Sequence, residues 1–349
     1  MQVGVDWAEE QLRARNLFAA VAAFYEAEAG GEDPDRCAAG RWLAQMLLGD
    51  FEAAWRESDA IRARGRTDPH RFWQGEDLSG KRVILRCLHG LGDAAQFLRY
   101  APALREQASE LIVEVPPAML ELAPCFRGVD RVITWGHLEP KPPPIWDVQI
   151  EINELPYVFR TQLADLPLAT NYLRMPETWL KAAQPQPASE DSLRVGVVWA
   201  SGEWNPARSI TLEMLRPVLD ARRCEFWNLQ GGAARALWGQ LPARLKSHDA
   251  NLCAESLPHL AALIAQLDLV ITPDTLAAHL AGAQGVPAWV LLEHAADWRW
   301  QHVRTDCPWY PSLRLFRQPA RGDWASVMHQ VQLALSQYAA IERRHRLVA

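Results

Sequence analysis

The sequence predicts an α/β protein with two Rossmann-like halves facing a cleft, preceded by a short all-helical segment. Three observations predict it. Apolar strand-like runs alternate with helical patterns in two successive stretches, separated by a polar, proline-bearing linker. Residues before about 66 carry helical spacing only. The run from Leu269 to Leu280 ends an apolar strand at Pro273 and opens an Ala-rich helix at once, as a buried parallel strand feeding a helix does. The expected divisions are 1–66 helical, 78–180 and 192–322 Rossmann-like, and 323–349 a closing helix.

Length and composition agree with this reading. A chain of 349 residues can bury two cores and an appendage, and 49% hydrophobic with 22% charged residues describes an ordinary soluble protein. A formal net charge of -6 supplies no broad basic field, so nucleic acid is not an expected partner. Six scattered cysteines form no C-x-x-C pair, which points to reduced thiols instead of a zinc site or disulfide frame. The acidic, amphipathic start lacks a signal-peptide pattern, and no apolar run approaches the roughly 20 residues of a membrane span. A cytoplasmic location without a transmembrane segment is the expectation.

Along the chain, Leu17 to Tyr25 recurs at helical spacing and breaks at Gly30-Gly31; a second helical pair follows Asp33-Pro34. Arg82 to Leu88 reads as a buried strand, with a helix from Asp93 and strands at Leu111 to Val115, Arg131 to Trp135 and Asp147 to Ile152. Pro140 to Pro144 belongs to a loop, and Lys181 to Ser192 reads as a linker. Beyond it, strands are expected at Arg194 to Ala200, Glu225 to Leu229, Leu267 to Thr272, Ala288 to Leu292 and Leu313 to Phe316. Ser256 caps the helix before the third of these. The last helix, Trp324 to about Arg344, carries Val327, Val331, Leu335 and Tyr338 on one stripe.

Two turns carry the chemistry. At Pro273-Asp274-Thr275-Leu276, Asp274 or Thr275 is the N-cap and Gly285 the stop. The turn is either an ordinary capped βα connection or a phosphate nest made of free amides and a helix dipole. At His89-Gly90-Leu91-Gly92-Asp93-Ala94-Ala95-Gln96, the glycines fit a dinucleotide fingerprint, with Glu114 where a ribose-binding acid would stand. Asp93 opposes that reading by adding negative charge where a pyrophosphate would approach. Asp93 with Gln96 also forms a capping box, or Asp93 projects into the cleft as a general base for a sugar hydroxyl.

Gly90-Leu91-Gly92-Asp93 with Gln96-Phe97 and Arg99-Tyr100-Ala101-Pro102 resembles the first motif of the ADP-heptose:lipopolysaccharide heptosyltransferase family. Asp274-Thr275 with His279 is similar to that family's second motif. A related group, the bacterial tetratricopeptide-containing glycosyltransferases, is resembled more closely. It adds Asn205 to Ile210, Asp297-Trp298-Arg299-Trp300, Pro308-Trp309-Tyr310-Pro311, Phe316 to Pro319 and Gly322-Asp323-Trp324, while Leu47 to Trp55 resembles a tetratricopeptide repeat unit. The resemblance covers about Val83 to Trp324. It implies a GT-B-like fold and metal-independent, inverting sugar transfer from a nucleotide-sugar donor, with no other cofactor.

Carried onto this chain, the resemblance makes Asp93 the base and Asp274, Thr275 and Leu276 the diphosphate cradle; the family usually has glycine where Leu276 stands. His279 matches a donor-site histidine, against the reading of a core residue. Arg208 takes the place of a phosphate-facing lysine, suited to bidentate grip. Ser201 and Ser209 read either as hydroxyl donors to phosphate or as loop caps. Gln230 falls where base or ribose contacts arise. Gln96, Asp297, Trp298 and Arg299 are candidate sugar or acceptor contacts, the tryptophans being either a lid or core. Glu293 has Gln301 eight positions on, so the two-glutamate pattern of retaining relatives is missing. The expected partners are a nucleotide-sugar donor and a glycan, lipopolysaccharide or protein acceptor, with protein docking open to the helical segment. The competing readings are a dinucleotide-dependent oxidoreductase, a catalytically silent binding or scaffold protein, and a nucleotide-sugar epimerase.

Overall fold

The computed structural model describes residues 4–65, 73, 75–135, 145–167, 170–183, 185, 192–202, 205–242, 245, 247–249 and 256–348, with backbone alone for 247 and 342–348. The proline loop at 140–144, Glu203, most of the expected interdomain linker and Cys253 lie outside the described residues.

Four helices come first: α1 (Val5–Arg13), α2 (Leu17–Ala29), α3 (Pro34–Leu48) and α4 (Phe51–Ala63). Their ends follow from the sequence. The Asp33 carboxylate accepts the Asp35 and Arg36 amides ahead of Pro34, and Asp50 accepts the Ala53 amide. Gly49, at φ 83°, ends α3 in the left-handed region that favours glycine. Burial of Ala20, Phe24, Ala27 and Cys37 between α2 and α3 forms a small core of its own.

Two parallel sheets follow. The first orders β3 (Arg131–Thr134), β2 (Glu110–Val115), β1 (Arg82–Arg86) and β4 (Val148–Glu151) side by side. Around it lie α5 (Leu91–Phe97), α6 (Ala101–Gln107) and the single turn α7 (Leu155–Val158), whereas α8 (Glu177–Ala182) leans on the second half, where Gln266 donates to its Leu180 carbonyl. The second sheet has β5 (Leu193–Val197), β6 (Cys224–Asn228), β7 (Ser247–Asp249), β8 (Leu269–Pro273), β9 (Ala288–Leu292) and β10 (Leu313–Arg317) in the order β10-β9-β8-β5-β6-β7. That is the full six-stranded dinucleotide-fold order, with the chain reversing direction across the sheet between β5 and β8. Its helices are α9 (Leu212–Leu219), α10 (Leu257–Ile264), α11 (Leu276–Gln284) and α12 (Trp324–Val348).

The expected elements are present, with three differences. The helix after β1 begins at Leu91, two residues before Asp93, because extended Gly90 is its N-cap. Strand β7 and a 3-10 segment at Ala233–Gln240 were not expected: three residues reading Ser-His-Asp carry no apolar run. The last helix continues to Val348.

Side chains on β8 and β9 alternate between two cores, as period-two strands covered on both faces require. Ile271 and Leu291 pack with Leu215 of α9 and Val327, Val331 and Leu335 of α12. Val270 and Val290 face the other way, into a core that also takes in Phe51 of α4, Val83 and Leu111 of the first sheet, and Ala278 of α11. That core therefore runs unbroken from the helical segment through both sheets. Among the described residues, no helix is long and apolar enough to cross a membrane.

Candidate active site

In open parallel sheets, ligands bind beyond the carboxyl ends of the strands where the chain order reverses. Here both sheets present such an edge to one cleft of about 870 Å³, within the range of small-molecule sites. One wall is the β1–α5 turn with His89, Gly90, Gly92 and Asp93. The other is built from the loops after β5, β8 and β9.

Asp93 stands at the third position of α5 and closes the helix end by accepting the Gly90 amide on Oδ2 at 3.0 Å. This replaces the expected Asp93–Gln96 capping box. Its Oδ1 accepts Arg299 Nη2 at 2.5 Å, an ion pair that crosses from the second half of the chain to the first. Arg299 also donates to Asp297 at 2.9 Å and lies 5.1 Å over the Phe97 ring. Burial pulls its guanidinium down, yet Asp297 and Asp93 outweigh this and hold it above its ordinary value. A cation thus remains fixed beside Asp93.

Facing Asp93 is the start of α11. Thr275 is its extended N-cap, but the Thr275 hydroxyl bonds Thr272 Oγ1 at 2.7 Å and makes no cap bond. The Ala278 amide donates to the Thr275 carbonyl, and the Leu276 and Ala277 amides are left for a ligand at the positive end of the helix dipole. Arg208, placed by the 3-10 turn Pro206–Arg208, reaches this end and donates to the Asp274 carbonyl at 3.0 Å. Burial and Asp297 push the Asp274 carboxyl up, against the pull of Arg208. Ser201 and Ser209 clasp the loop that carries Arg208: the Ser201 amide donates to Ser209 Oγ at 3.0 Å, and the two hydroxyls lie 3.0 Å apart.

His279 combines the two roles weighed for it. It borders the cleft, yet it is 5% exposed, with Nδ1 3.0 Å from the Tyr310 hydroxyl. Burial, then Arg299, Arg99 and Arg208, push it down to about 3, so it is neutral and its 3.8 Å approach to Asp274 is no ion pair. Its ring explains Gly92. A Cβ on Gly92 would sit 2.9 Å from His279 Cδ2, so this glycine provides room between the two halves, not an unusual backbone angle. Gly92→Ala should cost about 1–3 kcal/mol in urea unfolding, and His279→Ala should recover part of that loss in a double-mutant cycle. Equal stability of Gly92→Ala and wild type would refute the contact.

Three candidates do not reach the cleft. Gln230 turns back on its own loop, where its amide accepts the Trp199 and Ala200 amides and donates to the Ala200 and Gly231 carbonyls. It is a brace for the β5 loop, not a base or ribose contact. Gln96 is 0% exposed on the inner face of α5. Trp298 packs its ring among Trp42, Phe51 and Trp309, while Trp300 and Trp309 are core, so the tryptophans form no lid. Glu114, the acid of the dinucleotide reading, is held by Arg86 Nε at 2.7 Å.

Two features escaped sequence reasoning. Asn205 donates to Glu293 at 2.6 Å across the cleft floor. Glu151, at the end of β4 beside β1, is 2% exposed and lies 3.5 Å from His89 Nε2. An acid closing an apolar strand was the available signal. Burial pushes Glu151 up to about 7 from 4.5, with Glu154 and Asp93 adding to it. The folded state therefore holds an extra proton between these values, and the associated stability is present at low pH and lost as pH rises through about 7. Roughly 3 kcal/mol should disappear over that interval in wild type and not in Glu151→Gln, as read by urea melts against pH.

Residues 218–321, which include the β8–α11 turn and Asp297 to Gln301, match the profile of Glycosyltransferase family 9 (heptosyltransferase). That stretch is similar to a glycosyltransferase family 9 domain. The fold of this domain and its companion half is GT-B-like. A glycosyl transferase family 9 from Veillonella parvula superposes with TM-score 0.59 at 14% identity, covering 76% of this chain and 99% of that one. The E. coli ADP-heptose lps heptosyltransferase II gives 0.53 at 14%, covering 75% and 99%. Protein FlbA of Caulobacter vibrioides is 27% identical over 335 residues, 84% of this chain; the chain spans about half, 54%, of that relative.

Proposed function

We propose that this protein is an inverting glycosyltransferase of the family 9 kind that moves a heptose or related sugar from a nucleotide-diphosphate donor to a hydroxyl acceptor. The observation that carries the reading is the facing of one carboxylate, Asp93, and one open helix end flanked by Arg208, across a single cleft. Asp93 keeps lone pairs beyond its bonds to Arg299 and Gly90 and takes the proton of the acceptor hydroxyl. The acceptor oxygen bonds the anomeric carbon from the side opposite the phosphate. The phosphate oxygen departs with the bonding electrons, and Arg208 with the first amides of α11 takes up the charge in place of a metal ion. No cofactor beyond the donor is called for.

In this reading the acceptor, a glycan, lipopolysaccharide core or protein, lies against the β1–α5 wall. The protein works in the cytoplasm with its donor. Trp7, Phe18 and Tyr25, exposed on α1 and α2, support docking of a protein partner there. The test is incubation with ADP-heptose and a panel of other nucleotide sugars, following release of nucleotide diphosphate and the mass of the acceptor. Consumption of none of them, together with tight binding of reduced nicotinamide cofactor, would return the protein to the oxidoreductase reading.

A further inference from the structure

The turn that carries Arg299 is held by the helical segment. Trp298 lodges its ring between Trp42 of α3, Phe51 of α4 and Trp309, with centroids 6.0, 6.0 and 6.1 Å away and all three contacts edge-on. The Arg299 guanidinium lies 5.0 Å over that same Trp298 ring. One residue past the turn, the His302 amide donates to the carbonyl of Leu47, near the end of α3, at 3.0 Å. Ahead of it, Arg15 donates to the Ala296 carbonyl at 3.0 Å.

The junction of α3 and α4 makes a closer contact still. A Cβ on Gly49 would lie 2.4 Å from Gln301 Nε2, so the backbone there abuts the Gln301 side chain. Gln301 itself sits at φ 51°, a left-handed conformation that costs a non-glycine residue about 1–3 kcal/mol and persists only where the surroundings enforce it. Arg317 supplies the opposing hold by donating to the Trp300 and Gln301 carbonyls at 2.9 and 2.6 Å. The turn is thus gripped between β10 and the helical segment, with Arg299 projecting from it to Asp93.

We propose that α3 and α4 are a positioning element of the active site: they fix Trp298, through it the Arg299 guanidinium, and through that the carboxylate of Asp93. An arginine free in solvent loses about 2 kcal/mol of rotamer freedom when it is immobilised. The Trp42–Phe51–Trp309 cage and the ring of Phe97 meet that cost during folding, before substrate arrives. Geometry near a reacting hydroxyl is demanding, since a shift of about 1 Å arising far from the chemistry can lower turnover about a hundredfold. Trp42 and Phe51 are positioning residues and not catalytic ones, as neither borders the cleft. The effect on turnover rests on the transfer reading above; the effect on the turn does not.

The test uses the full chain with Trp42→Ala and the conservative Trp42→Phe. Hydrogen exchange of the Trp300, Gln301 and His302 amides should quicken about tenfold or more in Trp42→Ala, while β8 and α11 keep their rates. Calorimetric binding of ADP should stay within about threefold of wild type, because its nest lies on α11 and Arg208. With ADP-heptose as probe, kcat should fall about tenfold to a hundredfold with KM nearly unchanged, and Trp42→Phe should recover most of it. Unchanged exchange at the turn would overturn the proposal, as would kcat within about twofold of wild type, or ADP affinity lost in step with kcat. A wild-type protein inert toward every sugar nucleotide would remove the transfer reading, and the exchange experiment would still decide the positioning. An inactive Asp93→Asn beside a fully active Trp42→Ala would remove the positioning alone.

Discussion

Asp93→Asn should lower kcat for sugar transfer by about 10²–10⁴-fold, the range of general base catalysis, and leave nucleotide diphosphate binding nearly intact. The amide is isosteric and can still accept the Gly90 N–H on one atom. It cannot take a proton from the acceptor, and its NH₂ group meets Arg299 as one donor against another. Two effects therefore act in the same direction at the reacting hydroxyl. Neither touches the α11 nest or Arg208, so calorimetry with ADP separates loss of chemistry from loss of fold. Transfer by Asp93→Asn at the wild-type rate would end the base assignment.

Arg99→Ala should destabilise the protein by about 3–5 kcal/mol in urea unfolding. Arg99 is 0% exposed and joins the two halves. It donates to the Trp309 carbonyl at 2.7 Å, to the Gln96 carbonyl at 2.9 Å and to the Tyr172 hydroxyl at 3.2 Å. The faces of Tyr310, Tyr172 and Trp309 surround its guanidinium at 4.6, 5.0 and 5.2 Å. Truncation opens a cavity among these rings and strands two buried carbonyls in the same stroke. Arg99→Lys keeps the charge but loses the planar fork, so it should recover less than half of the loss. A change under about 1 kcal/mol for Arg99→Ala would show that the halves are held elsewhere.

The two-sheet architecture and both walls of the cleft were legible because they rest on local signals. Apolar runs ending in glycine or proline mark strand ends, Gly285 at φ 77° stops α11 as its position suggests, and Val327, Val331 and Leu335 share one buried stripe. Asp93, Asp274, Arg208 and Arg299 meet in the cleft because parallel strands deliver their following turns to one edge. What was not legible depends on long-range pairing. Nothing near Gln230 shows that the Trp199 and Ala200 amides, some 30 residues earlier, need its side-chain oxygen. Likewise no spacing around Trp298 reveals that Trp42 and Phe51 will enclose it.

The unbroken core that links α4, the first sheet and one face of the second has a bearing on how such proteins can be recombined. Phe51, Val83 and Ala278 belong to a single apolar body, although they lie far apart along the chain. Replacing one lobe with that of another transferase, as a cassette, would expose matched surfaces that no longer fit, even if every motif were kept. A graft should keep the elution volume of its parent only when the helical hairpin and the α5 and α11 faces travel with it, which size-exclusion chromatography of paired chimeras can decide. Donor preference is then better altered inside the cleft, at the loops after β5 and β9, than by trading halves.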